Sequence, residues 1–320
     1  ASTLYTGPIQ IAKTSVLRAA GFAVGLAPSP VDSRTFVFIE DTIRQSDAPP
    51  GFPQTWPGAP AADYGMDPEI VFDPRYKQTV KTGLQSVPTL SLSLPISDLF
   101  GSSGIYTNPT RTGFQWEREV SAEYFDPATG EEFQLQAGLR VQGGASRNPS
   151  NSPKHSLSLR FRDAYAGDLR FRLFPNSRVD RFDTVQLRAE YNNSWIHWSP
   201  SQRDRGMMIR DQWARDSLIA MGQRDGGHGR YVCLYLNGLF WGIYNLHERA
   251  EAAHYAAWQG GAEDDYDARN GSGTVNGTTR AWNAMRSAVT TRNWALVQKL
   301  LAVDNYIDWL IANEFAGNQD

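Results

Sequence analysis

The stretch YVCLYLNGLFWGIYNLHE, residues 231–248, carries the clearest local structural signal in this chain of 320 residues. Two apolar runs flank the dipeptide Asn237-Gly238, and both residue types tolerate the positive φ angles of a two-residue hairpin turn. The stretch therefore predicts a β-hairpin. Cys233, the single cysteine of the sequence, lies in its first run, which predicts a buried and unreactive thiol.

Upstream of this hairpin, alternating polar and apolar residues predict further strands between residues 87 and 174. These segments read TLSLSLP, REVSAEYF, FQLQAGLRVQ and HSLSLRF, and turn-forming residues such as DPATGEE separate them. Short alternating runs joined by such turns favour an antiparallel layer.

Helical spacing of apolar residues begins after these strands, in RDRGMMIRDQWARDSLIAMG, residues 203–222, where Gly222 is a candidate helix end. Beyond the hairpin, residues 250–259 predict a helix and residues 262–279 a polar loop. Residues 280–315 predict two or three amphipathic helices. Strands followed by helices indicate the α+β class.

Three segments divide the chain by composition. Residues 1–40 hold short β-like runs broken by Gly and Pro, which predicts a partial β-sandwich accessory module. Residues 41–83 are rich in proline and aromatic residues and show little periodicity, which predicts an ordered connector. Residues 84–320 form the main predicted domain, and both ends of the sequence resemble cuts through a longer protein.

Bulk composition limits the classes of partner. Hydrophobic residues make up 41% of the chain, and 31 Lys and Arg against 34 Asp and Glu leave a net charge of −3. A chain of this size can bury a core without disulfides or metals, and its charge gives no general reason to attract nucleic acid. No apolar run approaches the roughly 18 residues that span a bilayer, so we expect no membrane insertion in this segment.

A loop of small and polar residues separates two predicted strands in GLRVQGGASRNPSNSPKHSLSLRFR, residues 138–162. Backbone N–H groups and the hydroxyl around Gly143, Gly144, Ser146 and Arg147 are suited to approach phosphates, although a plain surface turn explains these residues almost as well. The loop has neither the P-loop nor the dinucleotide-binding glycine pattern. Lys154 precedes the next strand, where its ammonium suits phosphate oxygens; a solvated loop lysine is the alternative.

The order of these features is that of a protein kinase, in which a loop covers the nucleotide phosphates and a lysine grips them. An acidic residue on the next helix then holds the lysine, and Asp211 is the candidate here. A surface ion pair of Asp211 with an arginine is the alternative. Glu248 ends the predicted hairpin where a kinase chain passes the adenine, and the backbone beside it is a candidate to bind the base.

The sequence blocks also resemble successive signature blocks of the CotH kinase family, spore-coat and other extracytoplasmic proteins with an atypical kinase fold. The blocks are residues 139–161, 187–195, 209–222 and 232–249, and the resemblance runs from about Leu90 to the C-terminus. It implies a two-lobed domain with a β-rich N-lobe and a helical C-lobe. It also implies transfer of the ATP γ-phosphoryl, with Mg²⁺, to Ser or Thr of a secreted or surface protein. The family's lysine falls on Lys154, and Asp211 aligns with its Arg-Asp block.

The final segment NEFAGNQD, residues 313–320, resembles the catalytic segment of that family, and Asp320 matches its catalytic aspartate. In the family an Asn and a further, metal-binding Asp follow, so the resemblance implies that the main metal ligand lies beyond residue 320. We therefore expect this fragment by itself to be inactive. Whether the parent protein is an active kinase stays open.

Residues 5–38 resemble the tail of the chitobiase/β-hexosaminidase C-terminal-type sandwich, a module often appended to large bacterial surface proteins. Together the two resemblances imply an extracytoplasmic location.

Two other classes of function stay open. A CotH-like domain that kept its shape without turnover would be a structural or assembly module of a coat or surface. Ten tryptophans, with Trp195 and Trp198 in NNSWIHWSP, suggest a carbohydrate-associated module that contacts surface polysaccharide, although structural anchoring is the alternative. His247 and His254 lack a metal-binding motif, and a solvated face is expected for them.

Overall fold

The computed structural model describes residues 3–59, 61–271 and 273–318, and it contains both sheets and helices, which confirms the α+β class. The strands are β1 Ser15–Ala19, β2 Asp32–Phe36, β3 Thr89–Ser93, β4 Arg118–Phe125, β5 Glu132–Gln142, β6 Ser156–Arg160, β7 Leu169–Arg170, β8 Arg181–Phe182, β9 Thr184–Arg188, β10 Gly229–Leu236, β11 Leu239–Glu248, β12 Ala268–Asn270 and β13 Gly273–Asn276. The helices are α1 Ile39–Thr42, α2 Pro68–Val71, α3 Lys77–Ser86, α4 Ile96–Phe100, α5 Pro200–Arg203, α6 Arg210–Ala220, α7 Ala252–Gln259, α8 Arg280–Thr290, α9 Trp294–Leu300 and α10 Val303–Ala316.

The chain divides into two compact units. Unit 1 comprises the described residues up to Pro153 together with Tyr231–Tyr244. Unit 2 comprises Lys154–Arg230 and the described residues from Asn245 onwards. These units reflect packing, whereas the boundaries at residues 40 and 83 were drawn from composition, so the three predicted domains stay a prediction.

Unit 1 contains a four-stranded sheet in the order β5-β4-β3-β10. Strands β3, β4 and β5 are antiparallel neighbours, as the alternating sequence predicts, whereas β10 runs parallel to β3. Every residue of β3 is buried, its two leucines as well as its three hydroxyl residues. The four predicted strand segments upstream of the hairpin all form strands.

The predicted hairpin forms, with its turn at the expected dipeptide. Asn237 has φ 51° and Gly238 has φ 81°, the left-handed pair that this tight turn needs. The Asn237 side chain also accepts a hydrogen bond from the Leu94 backbone N–H at 2.9 Å, so the turn is tied to the end of β3. Cys233 in β10 is 1% exposed, and burial raises the pKa of its thiol to about 12, as expected for an unreactive cysteine.

Residues 3–40 contain one two-stranded antiparallel sheet, β1-β2, within their described part. It lies on the unit 1 sheet: the Thr35 N–H donates to Glu123 Oε2 and the Thr35 hydroxyl donates to Ser91 Oγ, each at 2.7 Å. The relation of this segment to a chitobiase-type sandwich stays a prediction.

Residues 41–83 are more regular than the sequence predicts. Helix α3 begins inside this segment, and its Leu84 packs into a small core with Ile43, Val71, Cys233 and Tyr235. The sequence does not signal helix α3, because contacts distant in sequence stabilise a helix that contains Gly83. The role of residues 41–83 as a connector stays a prediction. Trp56 in this segment packs against Trp241 with ring centroids 5.4 Å apart.

In unit 2, strand β9 pairs antiparallel with β6 on one side and with the last residues of β11 on the other. Helix α6 forms where predicted, and Gly222, with φ 102°, ends it. The Gly222 N–H bonds to the Ile219 carbonyl and the Gln223 N–H to the Leu218 carbonyl, each at 3.0 Å, which is the Schellman arrangement.

The remainder of unit 2 is mainly helical. Helix α7 and the three helices α8–α10 confirm the predictions for residues 250–259 and 280–315. The predicted loop at 262–279 instead contains the hairpin β12-β13, whose short strands the sequence does not signal because they are mostly polar and exposed. Within the described residues, no helix combines the length and the apolar character needed to cross a bilayer.

Candidate functional site

A cluster of charged side chains forms in unit 2 where strand β9 ends beside helix α6. The Arg215 Nε donates to Asp211 Oδ2 at 3.0 Å across one helical turn, and Arg188 Nη1 lies 3.5 Å from Asp211 Oδ1. The Nε of Arg188 is also 3.8 Å from Glu190 Oε2. Asp211 therefore sits between two guanidiniums, and its predicted role of holding Lys154 stays a prediction.

The pKa values of the two carboxyl groups in this cluster, Asp211 and Glu190, shift in opposite directions. Burial by itself would raise the pKa of Asp211, but the guanidiniums of Arg215 and Arg188 outweigh it and leave that pKa below its ordinary value. Burial raises the pKa of Glu190, and the guanidiniums of Arg188 and Arg215 together with the hydrogen bond from Asn193 do not compensate for it. Asp211 is thus held ionised, while the pKa of Glu190 lies above its ordinary value.

Glu190 has a backbone conformation that residues other than glycine rarely adopt. It lies in the left-handed region with φ 54°, a conformation that costs about 1–3 kcal/mol outside glycine and that concentrates at functional sites. Its side chain is fully buried, and Oε2 accepts a hydrogen bond from Asn193 Nδ2 at 3.1 Å. Its Oε1 has no hydrogen-bond partner in the part of the chain that the structure describes.

A chain of amides continues the cluster towards β11. Asn245 Nδ2 donates to Gln212 Oε1 at 3.1 Å, and Gln212 Nε2 donates to Asp216 Oδ1 at 2.7 Å. Asn245 is fully buried, and its Oδ1 also lacks a hydrogen-bond partner among the described residues. Burial and the guanidinium of Arg215 lower the pKa of nearby His247 to about 3, so this imidazole is neutral.

Lys154 precedes the strand that pairs with β9. It lies two residues before β6, half-buried, and β6 pairs antiparallel with β9. The Ala189 N–H donates to Ser156 Oγ at 2.9 Å, so the entry of β6 lies beside the end of β9 that carries Arg188 and Glu190. Lys154 has at least one interaction within the protein. Its role in phosphate binding stays a prediction.

The predicted phosphate loop belongs to unit 1 and is more tightly packed than its composition suggests. Gly143 has φ 125°, and a Cβ there would lie 2.2 Å from Ser146 Oγ, so only glycine fits; Gly144 has open space. Arg147 donates to the carbonyls of Gly143 at 2.7 Å and Arg111 at 3.0 Å, and further to those of Pro109 and Val141. A phosphate role for Arg147 stays a prediction, and it would require some of these bonds to break.

Glu248 lies in a second buried polar cluster. Its Oε2 accepts the His228 backbone N–H at 2.7 Å and lies 3.1 Å from His228 Nδ1, and its Oε1 accepts Trp258 Nε1–H at 3.3 Å. Its own backbone N–H and carbonyl bond to the His228 carbonyl and to His247 Nδ1. The adenine role assigned to this stretch stays a prediction.

His247 and His254 are buried, whereas the sequence predicts that they face solvent. His247 and His254 are 2% and 9% exposed, so the solvated face predicted for them is wrong. His247 lies near Asp211 and Arg215 of α6, and His254 Nε2 on α7 bonds to the Asp225 carbonyl at 3.1 Å. Sequence spacing alone cannot reveal burial of this kind, because the covering residues are distant in the chain.

Asp320, the candidate catalytic base, lies outside the described residues. Among residues 3–59, 61–271 and 273–318, no three Asp, Glu, His or Cys side chains are grouped so that they could hold a metal ion. Sequence reasoning also missed Glu190, Arg215 and Asn245. Arg215 was accessible from its spacing four residues after Asp211, but the other two depend on burial.

The family model described as CotH kinase protein matches residues 139–320. The chain belongs to the CotH kinase protein family. No curated protein matches the chain. The matched range begins later than Leu90, where the resemblance was expected to start, and it contains the Asp211 cluster, the Glu248 cluster and all of unit 2 from Lys154 onwards. Strands β1 to β4 precede the CotH kinase match.

Proposed function

We propose that this CotH kinase chain is the nucleotide-binding part of an atypical protein kinase that transfers the γ-phosphoryl of ATP to Ser or Thr of a protein substrate. The observation that carries the proposal is the cluster around Asp211 within the matched range. In protein kinases an acidic residue on a helix positions the lysine that grips the nucleotide phosphates. Asp211 is such a residue in charge and in location.

The electrostatics of the cluster support this role. Two arginines keep Asp211 ionised and fix its carboxylate, so it can stabilise a further cation without moving. The entry of β6, which follows Lys154, lies beside the same end of β9. In the proposal the Lys154 ammonium binds α- and β-phosphate oxygens and Asp211 orients it.

The remaining roles follow from the family resemblance and from residue chemistry. Gly143, Gly144 and Ser146 would approach the phosphates, and Asp320 would orient the acceptor hydroxyl as the catalytic base. Mg²⁺, when bound, neutralises charge on the phosphates. The described residues contain no group of three metal ligands, and the family resemblance implies that the main ligand of this ion lies beyond residue 320.

The family also suggests the setting of the reaction. We propose a secreted or surface protein as substrate and an extracytoplasmic location, both from the resemblance to CotH kinases. The competing function is an assembly module that retains the fold without binding nucleotide. Nucleotide affinity separates the two.

Isothermal titration calorimetry of the chain with ATP and MgCl₂ tests the proposal. We expect saturable binding that Lys154→Ala weakens by at least about tenfold, which corresponds to about 1.4 kcal/mol. Lys299→Ala, an exposed lysine on α9, is the matched control and should bind like the parent chain. Absence of ATP binding, or equal affinity of the parent and Lys154→Ala, would exclude the assigned lysine role and favour the assembly module.

A further inference from the structure

The segment between β9 and α6 presents large apolar side chains to solvent. Trp195 and Trp198 are 69% and 60% exposed, and Met207 is 60% exposed. A tryptophan offers roughly 150–250 Å² of surface for burial, so leaving two of them exposed forgoes stabilisation that the fold could have used. Grouped exposed aromatic residues of this kind mark interaction sites.

The two indoles are held by hydrogen bonds at their edges, while most of each side chain stays exposed. Trp195 Nε1 donates to the Gly206 carbonyl at 3.1 Å, and Trp198 Nε1 donates to the Tyr191 hydroxyl at 3.0 Å. The buried His197 ring lies between Tyr191 and Trp198, with centroids 5.0 and 5.3 Å away. Because these bonds restrict the rotamers in advance, a ligand that covers the rings has less side-chain entropy to overcome.

Three arginines accompany the indoles. Arg203 donates to the His197 carbonyl at 3.1 Å and Arg210 donates to the Arg205 carbonyl at 3.2 Å, so both guanidiniums bond to backbone. Arg203, Arg205 and Arg210 are exposed, and none of them forms an ion pair with a carboxylate in the described part of the chain. With Asp204 as the single acid between residues 195 and 210, the segment is positive on a protein whose net charge is −3.

We propose that these six residues, Trp195, Trp198, Arg203, Arg205, Met207 and Arg210, form a docking surface for an acidic polypeptide segment with apolar side chains. We call it the Trp-Arg surface. Tryptophan, arginine and methionine are the residues enriched in protein–protein interfaces, and the unpaired guanidiniums complement carboxylates. A neutral sugar would leave three positive charges without a partner, so the surface favours a polypeptide over a neutral glycan.

This inference rests on the proposed function. The bound segment would belong to the protein substrate and would be separate from the Ser or Thr that accepts the phosphoryl group. It specifies a substrate class, namely proteins that carry an acidic segment with apolar side chains. Docking at the Trp-Arg surface does not involve Lys154, so peptide binding and nucleotide binding can succeed or fail separately.

Fluorescence anisotropy with a labelled synthetic peptide of Glu, Leu and Phe tests the surface, with a Lys-for-Glu version as the comparison peptide. We expect the acidic peptide to bind more tightly, and the double variant Trp195→Ala/Trp198→Ala to weaken it by at least about tenfold. Arg205→Glu, at an exposed side chain with no folding role, should weaken binding severalfold, and added salt should do the same. Trp294→Ala, equally exposed on α9, should have no effect.

Equal binding of the two peptides, or unchanged affinity in both Trp-Arg variants, would overturn the proposal. Binding of polygalacturonate but not of the acidic peptide, lost in the double variant, would overturn it in favour of an anionic glycan. Lys154→Ala should retain full peptide affinity. If the acidic peptide binds but ATP does not, the docking surface stands and the kinase proposal fails.

Discussion

Replacing Glu248 by Gln tests the account of the second polar cluster. The Glu248 carboxylate is 2% exposed and accepts hydrogen bonds from the His228 backbone N–H and from Trp258 Nε1–H. Glutamine has the same shape but carries one NH₂ group, which must face one of these donors. One charge-assisted bond is lost and one buried donor is left without an acceptor.

The size of the effect follows from these two losses. A hydrogen bond to a charged group contributes about 1.5–3 kcal/mol, and a buried donor left unsatisfied costs about 1–3 kcal/mol. Because the glutamine side chain can relax in part, we expect a loss of about 3 kcal/mol in the free energy of unfolding. With a slope of about 3 kcal/mol per molar urea, the midpoint of unfolding falls by about 1 M.

Urea unfolding followed by tryptophan fluorescence measures this shift. The control is Glu314→Gln, an exposed glutamate on α10, which should change stability by less than about 0.5 kcal/mol. A loss below about 1 kcal/mol for Glu248→Gln would refute the reasoning.

The pH dependence gives an independent check. Burial raises the pKa of Glu248, but the hydrogen bonds from His228 and the nearby imidazole of His254 outweigh it and leave the folded pKa below its ordinary value. Such a group contributes stability above its unfolded pKa of about 4.3, and that contribution is lost as the pH falls through the folded value. The gap between parent and Glu248→Gln should therefore narrow below about pH 4, and a gap that stays constant down to pH 3 would contradict this cause.

Two further outcomes follow from single positions. Gly143→Ala should lower the free energy of unfolding by about 2 kcal/mol and the Tm by about 5 °C, because φ is 125° and the new Cβ meets Ser146. The control Gly144→Ala, with open space around the new Cβ, should cost much less stability. Equal losses of stability in the two variants would argue against the tight loop. Cys233 should react with a thiol reagent at pH 8 at least about a hundredfold more slowly in the folded protein than in urea, since it is buried and its pKa is about 12, and fast labelling of folded protein would contradict that burial.

The candidate site could be predicted in part. Asp211 is recognisable from its block and its helix, and Arg215 follows from the spacing of one helical turn. Glu190 and Asn245 could not be found in this way, because their importance comes from burial beside α6 and from a left-handed backbone at Glu190. The nucleotide roles of Lys154 and Glu248 remain predictions, and Asp320 lies outside the described residues.

Local chemistry was sufficient wherever neighbouring residues determine the backbone. Asn237-Gly238 specifies its own turn, Gly222 ends α6, and alternation along β3 to β6 specifies strands, because each depends on φ, ψ and side-chain direction within a few residues. Burial of His247 and Glu248, the helix α3 in a proline-rich segment and the exposed face of Trp195 were decided only by the tertiary structure. Burial and exposure depend on which distant segments cover a side chain, and one residue's neighbours in sequence do not contain that information.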